Sequence, residues 1–267
     1  MPELPEVEVT RLRLMPELTG RRFEKVEIRV AKLRMPVPQD LALMVEGRTL
    51  RAIERRGKYL LFDCATGWLL IHLGMTGYLQ LLPAAVPPGK HDHLDCHFDN
   101  GKMLRFHDPR KFGTVLWLTG DPLLHPLLAS IGPEPLSERF SGSVLHSVGK
   151  SRKVAIKQLI MDSQVVAGVG NIYANEALFM AGISPERVSA SVTVVEFNRL
   201  AEAIQQVLGG SVARGSSLRV MEDSVAYFPL DNNVYGRGGE PCRRCGDTLV
   251  ETRQGNRSTV FCRSCQG

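Results

Sequence analysis

Residues 59–81 of this chain, YLLFDCATGWLLIHLGMTGYLQL, contain three short apolar runs separated by turn residues. The runs at 59–62, 68–71 and 78–81 each have the length of a short β-strand, and a fourth run follows at 115–118. Several short strands with turn signals between them are typical of antiparallel sandwiches and barrels. We therefore predict an antiparallel β-sandwich in the N-terminal part of the chain.

The pattern becomes helical after a boundary-like segment, Gly132-Pro133-Glu134-Pro135. Thr193 and Glu196 have the spacing of a capping box ahead of an apolar helix face, and Ser184-Pro185 predicts a further helix start. Near the C-terminus the chain becomes rich in glycine, cysteine and arginine. We predict an α+β protein with a helix over about 5–15 before the strands, and three parts covering residues 1–130, 131–235 and 236–267.

The composition is that of an ordinary globular protein of 267 residues, with 43% hydrophobic and 23% charged residues. The net charge of +5 and the pI of about 9.0 are compatible with a polyanionic partner. No apolar run approaches the ~18 residues of a membrane span, and the N-terminus lacks the pattern of a signal peptide. We expect a cytoplasmic protein without a membrane partner, whose cysteines are thiols or metal ligands.

The first residues, Met1-Pro2-Glu3-Leu4-Pro5-Glu6, place a potential nucleophile beside two carboxylates. Once Met1 is removed, Pro2 has a free secondary amine, and an α-amino group titrates at about pH 7.7–8.0. A neutral amine attacks carbonyl-like carbons and forms Schiff bases. The alternative from these residues alone is a frayed terminus with two solvated acids.

Four cysteines, Cys242, Cys245, Cys262 and Cys265, form two CxxC pairs sixteen residues apart. Four thiolates suit one tetrahedral structural zinc ion and leave no position open for a catalytic water. The alternative is a pair of redox CxxC motifs. Five arginines accompany this segment and favour a phosphate partner over a merely solvated rim: 243, 244, 253, 257 and 263.

A glycine turn, Gly168-Val169-Gly170-Asn171, precedes a predicted helix. Glycine lets a ligand approach the backbone closely, and the amides at a helix start bind anions. The alternative is a tight helix crossing.

Together these motifs resemble the formamidopyrimidine-DNA glycosylase family. The resemblance covers nearly the whole chain and includes MPELPEVE at the start, GKYL at 57–60, HLGMTG at 72–77, KHDH at 90–93, DPRKFG at 108–113, GVGNIYANE at 168–176 and VYGR at 234–237. It implies two lobes: an N-terminal β-sandwich with a leading helix, then a helix–two-turn–helix domain with a four-cysteine zinc-finger hairpin. The resemblance also implies a single structural Zn2+ and a double-stranded DNA partner with oxidised bases or abasic sites, bound by a monomer in the bacterial cytoplasm.

The resemblance implies a base-excision mechanism in which Pro2 attacks C1′ of a damaged nucleotide and expels the base. Glu3 acts as general acid and base, and Glu6 either orients the reacting groups or transfers protons during elimination. The resulting Schiff base permits β- and δ-elimination. The resemblance also places Lys58 and Arg263 among the catalytic residues.

DNA contacts are likewise implied by the resemblance. Lys58, His72, Asn171 and Arg263 form a phosphate clamp, and Met75, Arg110 and Phe112 fill the space left by the flipped base. The remaining residues assigned to DNA binding are His93, Lys157, Gly168, Gly170, Ser217 and Tyr227.

One segment departs from the family pattern. Residues 219–226 replace a longer, glycine-containing loop that closes over the flipped base. We therefore keep three functions open: a glycosylase/lyase for formamidopyrimidines and 8-oxoguanine, an endonuclease-VIII-like enzyme for oxidised pyrimidines, and an inert damaged-DNA-binding protein.

Overall fold

The chain folds into two compact units. Unit 1 comprises Met1–Ala129 and Gly215–Phe228, and unit 2 comprises Ser130–Arg214 and Pro229–Gly267. The structure, a computed structural model, describes residues 2–216, 218–220, 225–227 and 231–267, and for 218–220 and 225–227 it describes the backbone alone.

Unit 1 begins with helix α1, Leu4–Leu18, which starts one residue before the predicted position and ends three residues after it. Glu3 is its N-cap, and Glu3 and Glu6 form a reciprocal capping box between side chains and backbone amides. Pro5 lies in the first turn, where a missing amide hydrogen costs nothing. The start of α1 is therefore fixed by the same residues that the sequence analysis assigns to catalysis.

Two four-stranded antiparallel sheets follow, with strand orders β1-β6-β7-β5 and β2-β3-β4-β8. Helix α2, Leu41–Val45, connects β1 to β2. The strands are β1 (Phe23–Ile28), β2 (Ala52–Arg56), β3 (Tyr59–Asp63), β4 (Trp68–His72), β5 (Tyr78–Pro83), β6 (Asp92–Phe98), β7 (Lys102–His107) and β8 (Thr114–Leu118).

A single apolar core contains residues from both sheets, as a sandwich requires. Phe23 and Phe98 of the first sheet have ring centroids 4.5 Å apart, and Phe62 and Ile71 of the second sheet are fully buried in the same core. The predicted β-sandwich is confirmed.

Unit 2 is mainly helical. Helix α6 starts at Asn171, directly after the glycine turn, and ends at Gly182 in the left-handed conformation (φ +68°). Helix α7 has the predicted capping box of Thr193 and Glu196. The helices after α2 are α3 (Pro126–Ala129, in unit 1), α4 (Gly142–Gly149), α5 (Ile156–Met161), α6 (Asn171–Ala181) and α7 (Val194–Ala213).

Two hairpins complete the fold. In unit 1, β9 (Leu218–Val220) pairs with β10 (Val225–Tyr227), within the segment predicted to be short. In unit 2, β11 (Val250–Gln254) pairs with β12 (Arg257–Phe261) between the two CxxC pairs. None of the described helices combines the length and apolar character that a membrane crossing needs.

Candidate active site and DNA interface

Pro2, Glu3 and Glu6 lie together, buried, at the start of α1. Both glutamates are 1% exposed. The amide of Glu3 donates a hydrogen bond of 2.9 Å to Oε2 of Glu6, and the Glu3 carboxylate accepts from the amide of Glu6. Burying a carboxylate is costly unless hydrogen bonds hold it, and the capping box supplies them here. The two acids are thereby oriented beside the residue that follows Met1.

Lys58 and His72 belong to neighbouring strands of the second sheet. Lys58 lies in the two-residue turn between β2 and β3, and the next residue, Tyr59, pairs with His72 at the end of β4. The rings of Tyr59 and His72 have centroids 4.7 Å apart. Two of the four predicted clamp residues are thus brought to one end of one sheet.

The imidazole of His72 is neutral at physiological pH. Burial, together with the positive charges of Lys58 and Arg34, lowers the pKa of His72 to about 4. The amide of Gly74 donates to Nδ1 at 3.0 Å, so Nδ1 is the acceptor and the proton is on Nε2. His72 therefore offers a neutral N–H donor, which suits a phosphate oxygen without adding charge.

Met75 and Phe112 are carried by two loops whose backbones touch. Gly74 has φ +71°, and a Cβ on it would lie 2.6 Å from backbone atoms of Phe112 and Gly113. Met75 is 36% exposed and Phe112 41% exposed, and the Arg110 guanidinium lies 4.7 Å from the centre of the Phe112 ring. Large apolar side chains on an exposed loop fit a role in filling space within a base stack.

Residues 108–113, which we call the wedge loop, are held from inside by Asp108. Its carboxylate accepts from the amides of Gly113 at 2.7 Å and Arg110 at 3.3 Å. Nε2 of His93 lies 2.9 Å from the carbonyl oxygen of Asp108. Lys111 has φ +55°, as the tight turn requires.

His93 is 4% exposed, and this burial does not fit the direct DNA contact predicted for it. The ring supports the wedge loop instead. His91, two residues earlier, is half-buried and contacts the ring of His107 edge-on at 5.8 Å. The KHDH motif alone does not distinguish these histidines, because it does not show that β6 begins at Asp92, which places His93 inside the sheet and His91 before it.

In unit 2, Gly168 and Gly170 set the start of α6. Gly168 has φ +76°, and Gly170 is the N-cap of the helix. Both glycines are buried. Their conformational freedom allows the tight turn that sets the direction of α6.

Asn171 and Lys157 converge on strand β12. The carbonyl of Ser258 accepts from Nδ2 of Asn171 at 3.0 Å and from Nζ of Lys157 at 2.8 Å. Lys157 also donates to Oγ1 of Thr259 at 2.7 Å and is 1% exposed. This burial does not fit the direct DNA contact predicted for Lys157, because its ammonium group donates hydrogen bonds to Ser258 and Thr259 of β12.

Helix α6 holds the C-terminal segment through two polar residues that the sequence analysis did not single out. The carboxylate of Glu176 accepts hydrogen bonds from the amides of Asn233, Val234 and Tyr235, at 2.8–2.9 Å. Oδ1 of Asn175 accepts from the amide of Val260 at 2.9 Å. Polar side chains in the buried GVGNIYANE motif were the available signal, because buried polar groups need partners.

The four cysteines 242, 245, 262 and 265 lie together, with all four sulfur atoms within 4.8 Å of one another. A tetrahedral zinc ion with Zn–S bonds of about 2.3 Å places its ligands about 3.8 Å apart. Sγ of Cys245 and Sγ of Cys262 are separated by 3.4 Å, so the cluster fits one zinc ion. The predicted zinc site is confirmed.

Arg263 is exposed on the turn between Cys262 and Cys265. The hydrogen bond of Asn171 leads elsewhere, to Ser258, whose neighbour Arg257 is also exposed. Arg257 is therefore next in sequence to the residue that Asn171, a predicted clamp residue, contacts. The spacing of the CxxC pairs did not reveal this relationship. Ser217 and the side chain of Tyr227 lie outside the described residues.

Three family profiles match the chain in order. The formamidopyrimidine-DNA glycosylase N-terminal domain matches residues 1–115, the formamidopyrimidine-DNA glycosylase H2TH domain matches 131–222, and the zinc finger found in FPG and IleRS matches 239–267. The chain belongs to the formamidopyrimidine-DNA glycosylase family. The resemblance inferred from the sequence motifs is confirmed.

Individual members of the formamidopyrimidine-DNA glycosylase family agree over their full length. The formamidopyrimidine-DNA glycosylase of Geobacter metallireducens is 60% identical, with 100% of both chains covered. Lactococcus lactis Fpg bound to DNA with an abasic site superimposes with a TM-score of 0.91 at 32% identity, covering 99% of each chain. The same enzyme bound to N7-benzyl-Fapy-dG DNA gives a TM-score of 0.90 at 32% identity and the same coverage.

Proposed function

We propose that this protein is a base-excision DNA glycosylase and abasic-site lyase acting on oxidised purines, with Pro2 as the nucleophile. The observation that carries the proposal is the buried, mutually hydrogen-bonded pair Glu3 and Glu6 beside Pro2. The capping box explains why the two acids are paired, but a pure DNA-binding protein has no need to place them beside a terminal proline. The lesion-bound and abasic-site-bound relatives support the choice of substrate.

In the proposed chemistry, the Pro2 nitrogen bonds to C1′ and the bond from C1′ to the base breaks, with the base leaving as the electron acceptor. Glu3 transfers protons at the sugar ring, whose opening leaves an iminium between Pro2 and C1′. The iminium draws electrons from C2′ after loss of its proton, and the 3′ phosphate leaves. A second elimination releases the 5′ phosphate. Met1 must be absent, because an amide nitrogen has no free electron pair for attack.

The proposed DNA contacts follow the positions described above. Lys58, His72 and Asn171 bind backbone phosphates, together with an arginine that we assign to Arg257 in preference to Arg263. Met75, Arg110 and Phe112 occupy the vacated stack, and zinc held by the four cysteines keeps the hairpin folded. We also retain the three sequence segments 1–130, 131–235 and 236–267, a monomer, and action on the nucleoid in a bacterial cytoplasm.

Borohydride trapping tests the proposal. Native protein should become covalently attached to a duplex with 8-oxoguanine opposite cytosine, and Pro2→Gly should abolish the attachment. Pro16→Ala, an exposed proline change in the same helix, should trap normally. Binding without any trapped native protein would identify an inert DNA-binding protein, and preferential trapping on thymine glycol would identify the oxidised-pyrimidine enzyme.

A further inference from the structure

A partly buried ion cluster joins helix α1 to strand β2 in unit 1. The Glu8 carboxylate accepts from Nε of Arg55 at 2.8 Å and from Nη2 of Arg11 at 2.7 Å. The side chains of Glu8, Arg55 and Arg11 are 13%, 10% and 21% exposed. Burial alone acts to raise the pKa of Glu8, but the hydrogen bonds from Arg11 and Arg55 outweigh it and lower the pKa. Glu8 is therefore ionised whenever the protein is folded at neutral pH.

Arg55 makes a second contact with the turn that follows its strand. Its Nη1 donates to the carbonyl oxygen of Gly57 at 3.0 Å while Nε binds Glu8. Gly57 has φ +57° and directly precedes Lys58. One guanidinium thus connects the catalytic helix with the turn that carries Lys58.

Arg11 fixes the same interface at a second point. Its Nη1 donates to the carbonyl of Ile53 at 3.2 Å, while Nη2 binds Glu8. Helix α1 is thus attached to β2 at two points, the Ile53 carbonyl through Arg11 and the Arg55 guanidinium through Glu8.

Stability does not account for this cluster. A buried ion pair gives about as much Coulomb energy as its desolvation costs, and apolar residues of similar size are often equally stabilising. Because the donors of a guanidinium are planar and directional, such an ion pair instead defines the geometry of α1 relative to β2. Helix α1 begins at Leu4, four residues before Glu8, so an error in the helix direction moves Glu3 and Glu6 as well.

We propose that Glu8 and Arg55 are positioning residues, which hold the helix bearing Pro2, Glu3 and Glu6 in register with the turn bearing Lys58. This inference rests on the proposed function, since it assigns a task relative to the Schiff-base reaction. Neither Glu8 nor Arg55 is assigned a contact with the reacting atoms. Both act through the helix and the turn that they connect.

The test compares single-turnover trapping on abasic-site duplex by native protein, Glu8→Gln and Arg55→Lys. Lysine keeps the charge, but its three donors share a single nitrogen, so it lacks the separate Nε and Nη1 with which Arg55 reaches Glu8 and Gly57. We expect each variant to slow trapping at saturating DNA by about 10- to 100-fold, as small misplacements of catalytic groups do. The apparent KM should change by less than about threefold, and the double variant should be no slower than either single one.

Glu17→Gln is the matched control. Glu17 pairs with Lys102 from the other end of the same helix, is 46% exposed, and has no contact with the Lys58 turn in the described structure. It should trap at the native rate. Circular dichroism melting should show Glu8→Gln and Arg55→Lys folded at the assay temperature.

Trapping by Glu8→Gln and Arg55→Lys within twofold of native protein would overturn the positioning role, as would a rate loss that merely follows loss of folded protein. Because Arg55→Lys keeps a charged partner for Glu8, it decides the question if Glu8→Gln does not fold. If native protein itself is not trapped, the proposed function has failed and this inference fails with it. The two failures are distinguished by the native lane alone.

Discussion

The buried carboxylate of Asp108 closes the wedge loop by accepting the Gly113 amide at 2.7 Å. Asp108 itself is fully buried, whereas Arg110 and Phe112 are exposed on the loop that it closes. The shape of the wedge loop is therefore determined by a residue that cannot touch DNA, so its shape and its contacts are open to separate tests.

Asp108→Asn should impair excision from a duplex more than cleavage of a single strand that already contains an abasic site. An amide side chain has one acceptor oxygen in place of two, so one of the loop amides loses its partner. We expect the excision rate on duplex DNA to fall by about tenfold or more. Flipping the target nucleotide out of the stack costs a few kcal/mol, and a distorted wedge loop offsets less of that free energy. Parallel single-turnover assays on the two substrates measure the difference.

Asp121→Asn provides the comparison for that experiment. Asp121 also accepts a backbone amide, from Leu123 at 2.9 Å, but on an exposed turn away from the wedge loop. Its excision rate should be native. Equal losses on duplex and single-stranded substrates for Asp108→Asn would show that the loop serves stability and not base flipping.

Arg257→Ala should weaken binding to abasic-site DNA more than Arg263→Ala does. Arg257 adjoins Ser258, the residue that Asn171 contacts, while Arg263 lies in the second CxxC turn. Loss of one phosphate contact should lower the salt slope of log K by about one. Fluorescence anisotropy across a salt series measures both quantities. A larger loss for Arg263→Ala would restore the assignment made from the sequence motifs.

Removing zinc should abolish DNA binding and leave the sandwich folded. The segment around the cysteines has a small core, made of Val234, Leu249 and Val260 with Phe179 of α6, and such segments depend on their metal. We expect Cys245→Ser, or chelation of native protein, to reduce DNA affinity by about 100-fold or more as the hairpin arginines lose their placement. Zinc content, anisotropy and the β-sheet signal in circular dichroism provide the readouts. Unchanged affinity in zinc-free protein would contradict this role.

His72 should make the protein less stable as the pH falls below neutrality. Its pKa is lowered to about 4 in the folded protein from 6.5, so between these values the unfolded chain binds a proton that the folded chain does not. The stability is thus present above pH 6.5 and decreases as the pH falls toward 4, by an amount on the order of 2 kcal/mol. Urea unfolding of native protein and His72→Gln at about pH 7.5 and pH 4.5 isolates the effect. Identical pH dependence for the two proteins would show that His72 titrates normally.

Short sequence patterns predicted several features of the fold correctly, because the interactions behind them join residues that are close together in the sequence. The capping box of Thr193 and Glu196 depends on residues three apart, and the zinc cysteines on two short spacings. By contrast, Ser184-Pro185 was predicted to start a helix and instead begins a turn. There the carbonyl of Pro185 accepts the Lys157 amide, a partner 28 positions earlier that no local pattern contains.

The candidate site follows the same division. The sequence motifs identified Lys58, His72 and the wedge residues Met75, Arg110 and Phe112, because these side chains belong to motifs that the family shares. They did not separate buried His93 and Lys157 from exposed neighbours, since burial is decided by pairing between distant strands and helices. Glu8 and Arg55, 47 positions apart, became partners only once α1 and β2 were in place.

The hydrogen bonds that Glu176 and Asn175 accept from the C-terminal segment have a consequence for protein engineering. Helix α6 holds the chain just before the zinc hairpin through Glu176, and it holds the hairpin itself through Asn175, which accepts the amide of Val260. Transplanting residues 236–267 alone onto another scaffold would therefore leave the buried backbone amide of Val260 without its acceptor. The portable module is the hairpin together with the polar face of α6.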